Sequence, residues 1–199
     1  MYTRKKESEF LTEDEARLIC SLPDQRTAEG KRDMAILTLM LTTGCRKAEV
    51  CDLTVGSIKD YRNQKILEVI GKGNKLRRIA LKPDTCELIM KYHRAIGNGH
   101  DPSQPLFLTL GKHGPFKKQG LTHCAVDCIV WKYAEKSCLT KRITPHTLRH
   151  TFATTLLSKG VDLRTVQDLM GHSAISTTEL YLHTNDDKKF EAVWKLNFN

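Results

Sequence analysis

The chain has 199 residues, a formal net charge of +9 and seven cysteines. A chain of this length buries roughly 70% of the surface its unfolded form exposes, so it needs no disulfide framework. Its longest apolar run, residues 34–44, is too short to span a bilayer. The basic balance points to a polyanionic partner, nucleic acid first.

The cysteines (Cys20, Cys45, Cys51, Cys86, Cys124, Cys128 and Cys138) are odd in number, scattered and free of any C-x-x-C pair, and the opening "MYTRKKESEF" is polar. These features read as reduced thiols in a cytoplasmic protein with no membrane segment. Cys124 and Cys128, one turn apart beside His123, read as small buried hydrophobes on a helix face rather than as metal ligands.

"LTEDEARLICSL", 11–22, begins with a capping box, Thr12 with Glu15 three residues on, and predicts a first helix. "TAEGKRDMAILTLMLTTG" predicts a second, stopped by Gly44, and "CRKAEVCDL" a short third. The period then changes. "KILEVIG" and "RRIALK" read as strands joined by a Gly-Asn hairpin turn at "KGNK", 72–75, with "SIKDY" as a third strand before them. Residues 84–97 read as a helix, and 98–115 as a loop punctuated by glycine and proline, with one apolar stretch at Leu106–Leu110. "LTHCAVDCIVWKYAEKSC" predicts the next helix.

"RITPHTLRHTF", 142–152, raises a question. Thr144 and Pro145 form a helix start, and the apolar stripe of that helix is Leu148, Phe152, Ala153, Leu156 and Leu157. Arg149 falls inside the stripe and His146 on its edge. A buried guanidinium is costly unless something anionic meets it, either an internal carboxylate or an anion received in a pocket. "DLRTVQDLM" is the next helix, closed by Gly171. "STTELYLH" and a last helix, "DDKKFEAVWKLNFN", complete the chain. The fold class is therefore α+β: mostly helical, with a small antiparallel three-stranded sheet in the N-terminal third, and no linker that splits it.

The unusual polar residues form a set: Arg46, Lys72, His146, Arg149, His172 and Tyr181. It contains no carboxylate cluster of the kind that holds Mg²⁺. It suits metal-free phosphoryl transfer. Two arginines neutralise the non-bridging oxygens, a lysine or histidine protonates the leaving oxygen, and a tyrosine attacks.

"TGCRKAEV", "GKGNKLRRIAL" and "TPHTLRHTFATTLLSKGVDLRTVQDLMGHSAISTTELYLH" resemble the catalytic domain of the tyrosine recombinases (phage-integrase, Xer-like), from about residue 10 to residue 183. The resemblance implies Arg46 as the first arginine, Lys72 as the hairpin lysine and His146 with Arg149 as the H-x-x-R pair. His172 stands at the position where members carry His or Trp, and Tyr181 is the nucleophile. Glu49, one short turn from Arg46, stands where members commonly carry an acidic residue and is expected to orient that arginine. Lys75, Arg77 and Arg78 are expected DNA-backbone contacts or solvated charges, and Lys75 is the rival of Lys72 for the general-acid role.

The implied organisation is a lead at 1–10, a catalytic domain at 11–183, and a C-terminal helix or tail at 184–199. In that tail, Phe190 and Trp194 either dock on a neighbouring protomer or pack in cis. Members usually carry an N-terminal core-binding domain, so the chain reads as an excised catalytic domain or a naturally short member. The implied activity is site-specific cleavage and rejoining of double-stranded DNA through a 3′-phosphotyrosine, without metal, ATP or other cofactor, by a homo-tetramer assembled on DNA. A type IB topoisomerase-like relaxing enzyme shares the chemistry, and a non-catalytic DNA-binding regulator shares the fold.

Overall fold

The computed structural model describes residues 10–71, 73–97, 101–111, 114–171 and 193–196. The first helix, α1 (Glu13–Ser21), opens on the expected capping box: Thr12 accepts from the Glu15 amide, and the Glu15 carboxylate accepts from the Thr12 amide at 2.7 Å. α2 (Ala28–Thr43) is capped by Thr27 and ends at Gly44, whose φ of 61° is the left-handed turn that glycine adopts without strain. From Ala35 to Leu41 nearly every α2 residue is buried, so α2 is the central rod of the core. It packs against α1, α4 (Pro83–Ile96) and α6 (Pro145–Ser158).

After the short α3 (Lys47–Asp52), the strands β1 (Ile58–Tyr61), β2 (Gln64–Gly71) and β3 (Lys75–Ala80) form an antiparallel sheet in the order β1-β2-β3. Arg62 and Asn63 join β1 to β2 with φ of 44° and 63°, the paired left-handed conformation of a two-residue hairpin turn. In the β2–β3 turn, Gly73 and Asn74 also lie at positive φ, as the Gly-Asn reading expected.

One expectation is corrected. The segment 98–115 is not simply a loop. β4 (Leu108–Gly111) pairs antiparallel with β5 (Gly114–Gly120), a second, two-stranded sheet. Its register shifts between Leu108 and Gly111, so no clean alternation marks it in the sequence, and Pro115 is tolerated because a two-stranded ribbon has only edges.

The helix α5 (His123–Lys136) is capped by Thr122. α6 starts at Thr144 with Pro145 in its first turn, and α7 (Leu163–Met170) is capped by Asp162 and closed by Gly171 at φ 62°. Two side-chain expectations are also corrected. Leu157 is exposed, because nine residues beyond Leu148 at about 100° each place it half a turn away from that residue. Cys124 and Cys128 lie on the exposed face of α5, the face that also carries Trp131.

A charged network inside the core was not foreseen. Arg32 and Asp33 of α2 are buried and paired at 2.7 Å. Asp33 also accepts from the Tyr133 hydroxyl at 2.9 Å and from Lys132 at 3.3 Å, while Arg32 reaches the Leu108 carbonyl. This network joins α2, α5 and β4. In the tail, Val193 and Leu196 are fully buried, the Lys82 ammonium donates to the Leu196 carbonyl, and Trp194 donates to Gln64 at 3.3 Å. The described part of the tail thus packs in cis beside the sheet, and Phe190 lies outside the described residues.

Candidate active site

The site is assembled where four helices end or begin: the ends of α2 and α7 and the starts of α3 and α6. Gly44 turns the chain sharply out of α2, and a Cβ there would meet the Phe152 ring of α6 at 2.5 Å. This close approach brings Arg46, at the head of α3, to the start of α6. Glu49 then fixes Arg46: its carboxylate accepts from the Arg46 amide at 2.6 Å and from the Arg46 guanidinium at 2.9 Å. Arg77, from β3, binds the other side of Glu49 through two bonds of 2.8 Å each. Those four bonds occupy all the lone-pair sites of a carboxylate that is only 5% exposed. Burial pushes the Glu49 carboxyl up, but the hydrogen bonds and charges of Arg77 and Arg46 outweigh it and hold the group below its ordinary value.

Arg149, on α6, is 4% exposed, and this resolves the question its position raises. Its guanidinium donates to the carbonyls of Gly44 and of Met170, the latter at 2.6 Å. These are carbonyls at the C-terminal ends of α2 and α7, the partially negative ends of those helices. Its two hydrogen bonds go to carbonyls, not to a carboxylate. Burial first, then repulsion from Arg46, pushes its pKa down to about 10, with Glu49 pulling the other way. A desolvated cation under-neutralised in this way favours an arriving anion.

The last turn of α7 gathers all three arginines on successive carbonyls. Leu169 accepts from Arg77 at 2.9 Å, Met170 from Arg149, and Gly171 from Arg46 at 3.3 Å. An open cavity of about 290 Å³ lies beside them, lined by Arg46, Lys47, Asp127, Thr144, Pro145, His146 and Arg149. His146 is exposed at its rim.

Thus Arg46, His146 and Arg149 are brought together. Lys72, His172 and Tyr181 lie outside the described residues. Position 72 falls between Gly71, the end of β2, and Gly73, and position 172 directly follows the α7 clamp. The three expected backbone contacts of the hairpin separate. Lys75 is exposed at the start of β3. Arg78 pairs with Glu68 at 3.1 Å. Arg77 is a correction: it is turned inward into the Glu49 clamp, its side chain 10% exposed, and is not a solvated hairpin charge. Alternation along β3 does not single it out, since Arg78 shares a face with the buried Ala80 as Arg77 does with Ile79; the register does, setting Arg77 opposite the buried Val69 and Arg78 opposite Glu68.

Of the other tyrosines, Tyr92 and Tyr133 are buried. The Tyr92 hydroxyl accepts from the Leu108 amide and the Tyr133 hydroxyl donates to Asp33, and burial raises the pKa of each to about 12. Among the described residues no group of three or more His, Cys, Asp and Glu is placed to hold a metal ion, and no helix is long and apolar enough to cross a membrane.

The sequence profile described as "Phage integrase family" matches residues 9–188. The chain belongs to the phage integrase family. A tyrosine recombinase of Pseudothermotoga lettingae is 40% identical over 84% of the chain, and the tyrosine recombinase XerC of Anoxybacillus flavithermus is 35% identical over 89%. The chain spans 55% and 58% of the lengths of these two family members. The fold is shared with an integrase from mycobacterium phage Brujita. That match has a TM-score of 0.75 at 22% identity, and it covers 99% of this chain and 61% of that one.

Proposed function

We propose that this member of the family is the catalytic part of a site-specific tyrosine recombinase that cuts and rejoins double-stranded DNA. One observation carries the reading. Arg149 is buried with carbonyls, not a carboxylate, as its hydrogen-bond partners, and it borders an open cavity shared with Arg46 and His146. A DNA phosphodiester supplies the missing anion. Arg46 and Arg149 then bind its non-bridging oxygens and stabilise the charge that builds there as phosphorus becomes five-coordinate.

The nucleophile in this reading is the hydroxyl of Tyr181. Its oxygen bonds to phosphorus as the bond from phosphorus to the 5′-oxygen breaks. His146 takes the tyrosine proton, His172 donates a hydrogen bond to a phosphate oxygen, and Lys72 gives a proton to the departing 5′-oxygen. The products are a 3′-phosphotyrosine and a free 5′-hydroxyl, and attack by a partner strand's hydroxyl reverses the same steps. The bond energy is kept in the ester, so no ATP enters the balance, and Arg46 and Arg149 take the charge-neutralising part that a metal ion plays in other phosphoryl transfers. The elimination of Tyr92 and Tyr133 as accessible nucleophiles supports Tyr181. Exchange between two duplexes calls for four protomers on DNA.

The test uses nicked, labelled duplexes resolved on denaturing gels. The parent chain forms a covalent band and Tyr181→Phe forms none while still binding DNA. A band that persists in Tyr181→Phe refutes the assignment. Lys72→Ala cleaves ordinary DNA poorly but recovers on a substrate with sulfur in the 5′-bridging position, because a thiolate leaves without a proton. Recovery of Lys75→Ala instead moves the acid to Lys75.

A further inference from the structure

Lys47 and Asp127 line the cavity of the proposed site, yet the chemistry above uses neither. Lys47 opens α3 directly after Arg46, and Asp127 lies on α5, 80 residues away in sequence. Their charged atoms meet at 2.6 Å, with side chains 41% and 44% exposed. We propose that this ion pair is displaceable: Lys47 is a further DNA-phosphate-binding residue, and Asp127 holds it in the free protein in the place the phosphate takes. The inference rests on the reading of DNA as the substrate.

The two carboxylates of the site contrast physically. Glu49 is buried and saturated by four hydrogen bonds, so it remains with Arg46 and Arg77 whatever enters the cavity. Asp127 offers Lys47 one bond through a single carboxylate oxygen, on the open side of the cavity where water competes. A pair of that exposure contributes little net stability, so exchanging the carboxylate for a phosphate oxygen costs little. The ammonium is also one residue from Arg46, which the proposed reaction places on the phosphate. A flexible four-carbon stem lets Lys47 turn from α5 to the backbone without movement of α3. Asp127 is therefore an internal competitor of DNA, and it leaves the cavity less cationic until DNA arrives.

The experiment measures affinity of the full chain for a short random-sequence duplex across a salt series. Lys47→Met keeps the apolar stem and removes the charge. It should weaken binding at low salt and flatten the slope of log affinity against log salt by about 0.9, the value of one phosphate contact. Asp127→Asn should tighten binding by up to about fivefold at low salt, the worth of an exposed pair, and keep the parent slope. The double variant should behave as Lys47→Met alone. If Asp127→Asn weakens binding as Lys47→Met does, the pair is a fixed brace and the inference is overturned. The same follows if Lys47→Met leaves the parent slope unchanged. A parent chain whose binding shows no salt dependence overturns the reading of DNA as substrate, and this inference with it.

Discussion

Replacing Arg77 by alanine tests whether the site is built on a buried clamp. The guanidinium makes two 2.8 Å bonds to Glu49 and one of 2.9 Å to the Leu169 carbonyl, with its side chain 10% exposed. Removing it leaves Glu49 buried with Arg46 as its remaining partner. Breaking a buried pair by deleting one member costs about 3–5 kcal/mol, mostly the penalty of a buried charge left short of partners. For a chain of this size each kcal/mol lowers the melting temperature by about 2–4 °C, so Arg77→Ala should melt about 6–20 °C below the parent. Arg77→Lys keeps the charge but not the fork and should fall between the two. A double-mutant cycle with Glu49→Gln, read by denaturant unfolding, should return a coupling of about 1–3 kcal/mol. Adduct formation should drop in step, because Arg46 shares the same carboxylate oxygen with Arg77. A loss under about 1 kcal/mol for Arg77→Ala, or a cycle with no coupling, would refute the clamp and return Arg77 to the solvated charges of the hairpin.

Arg149→Met should lower cleavage by about 10²–10³, the loss of one charged oxyanion donor, while stability moves by no more than about 2 kcal/mol, since relief of the desolvated charge offsets two carbonyls left without donors. Unchanged cleavage with a large loss of stability would make Arg149 purely structural. The Glu49 carboxyl is held below its ordinary value of 4.5, so its contribution is complete above that pH and disappears as the pH falls through the lower, folded value. Melting curves should therefore show the gap between the parent and Glu49→Gln constant near neutral pH and closing below about 4.5; a gap that widens in acid contradicts this sign. Gly44→Ala places a methyl at 2.5 Å from the Phe152 ring in a left-handed backbone, and should cost about 2–5 kcal/mol in chemical unfolding. A neutral result would mean that α2 and α6 are free to separate at the site.

Local signals were read well where one residue decides the structure. Thr12, Thr144, Gly44 and Gly171 each satisfy or end a helix by chemistry confined to a few neighbours, and the structure places helix boundaries beside all four. The three-stranded sheet followed from β-branched runs around a Gly-Asn turn. The second sheet did not, because irregular pairing erases the alternation that announces a strand. The ion-pair network of Arg32 and Asp33 was hidden for another reason. Its partners Tyr133 and Lys132 are about a hundred residues away, and only tertiary packing shows that the charges face inward. The candidate site divided similarly. The sequence pattern named Arg46, His146 and Arg149, and the family resemblance implied Glu49 as the residue that orients Arg46. It gave no sign that Arg77 completes the clamp, or that Lys47 and Asp127 share the cavity.

The carbonyls of Leu169, Met170 and Gly171, each held by a different arginine, also act as a mooring for whatever chain follows. Ten peptide units run from Gly171 to Tyr181, and even a fully extended chain spans no more than about 3.3–3.6 Å per residue. The tyrosine hydroxyl is thus leashed within about 40 Å of the arginines, along any path the intervening residues take. Within that radius its local concentration is set by tether length and not by the amount of protein in solution. Releasing the mooring would dilute the proposed nucleophile without touching it, so substitutions of these arginines should silence Tyr181 from a distance.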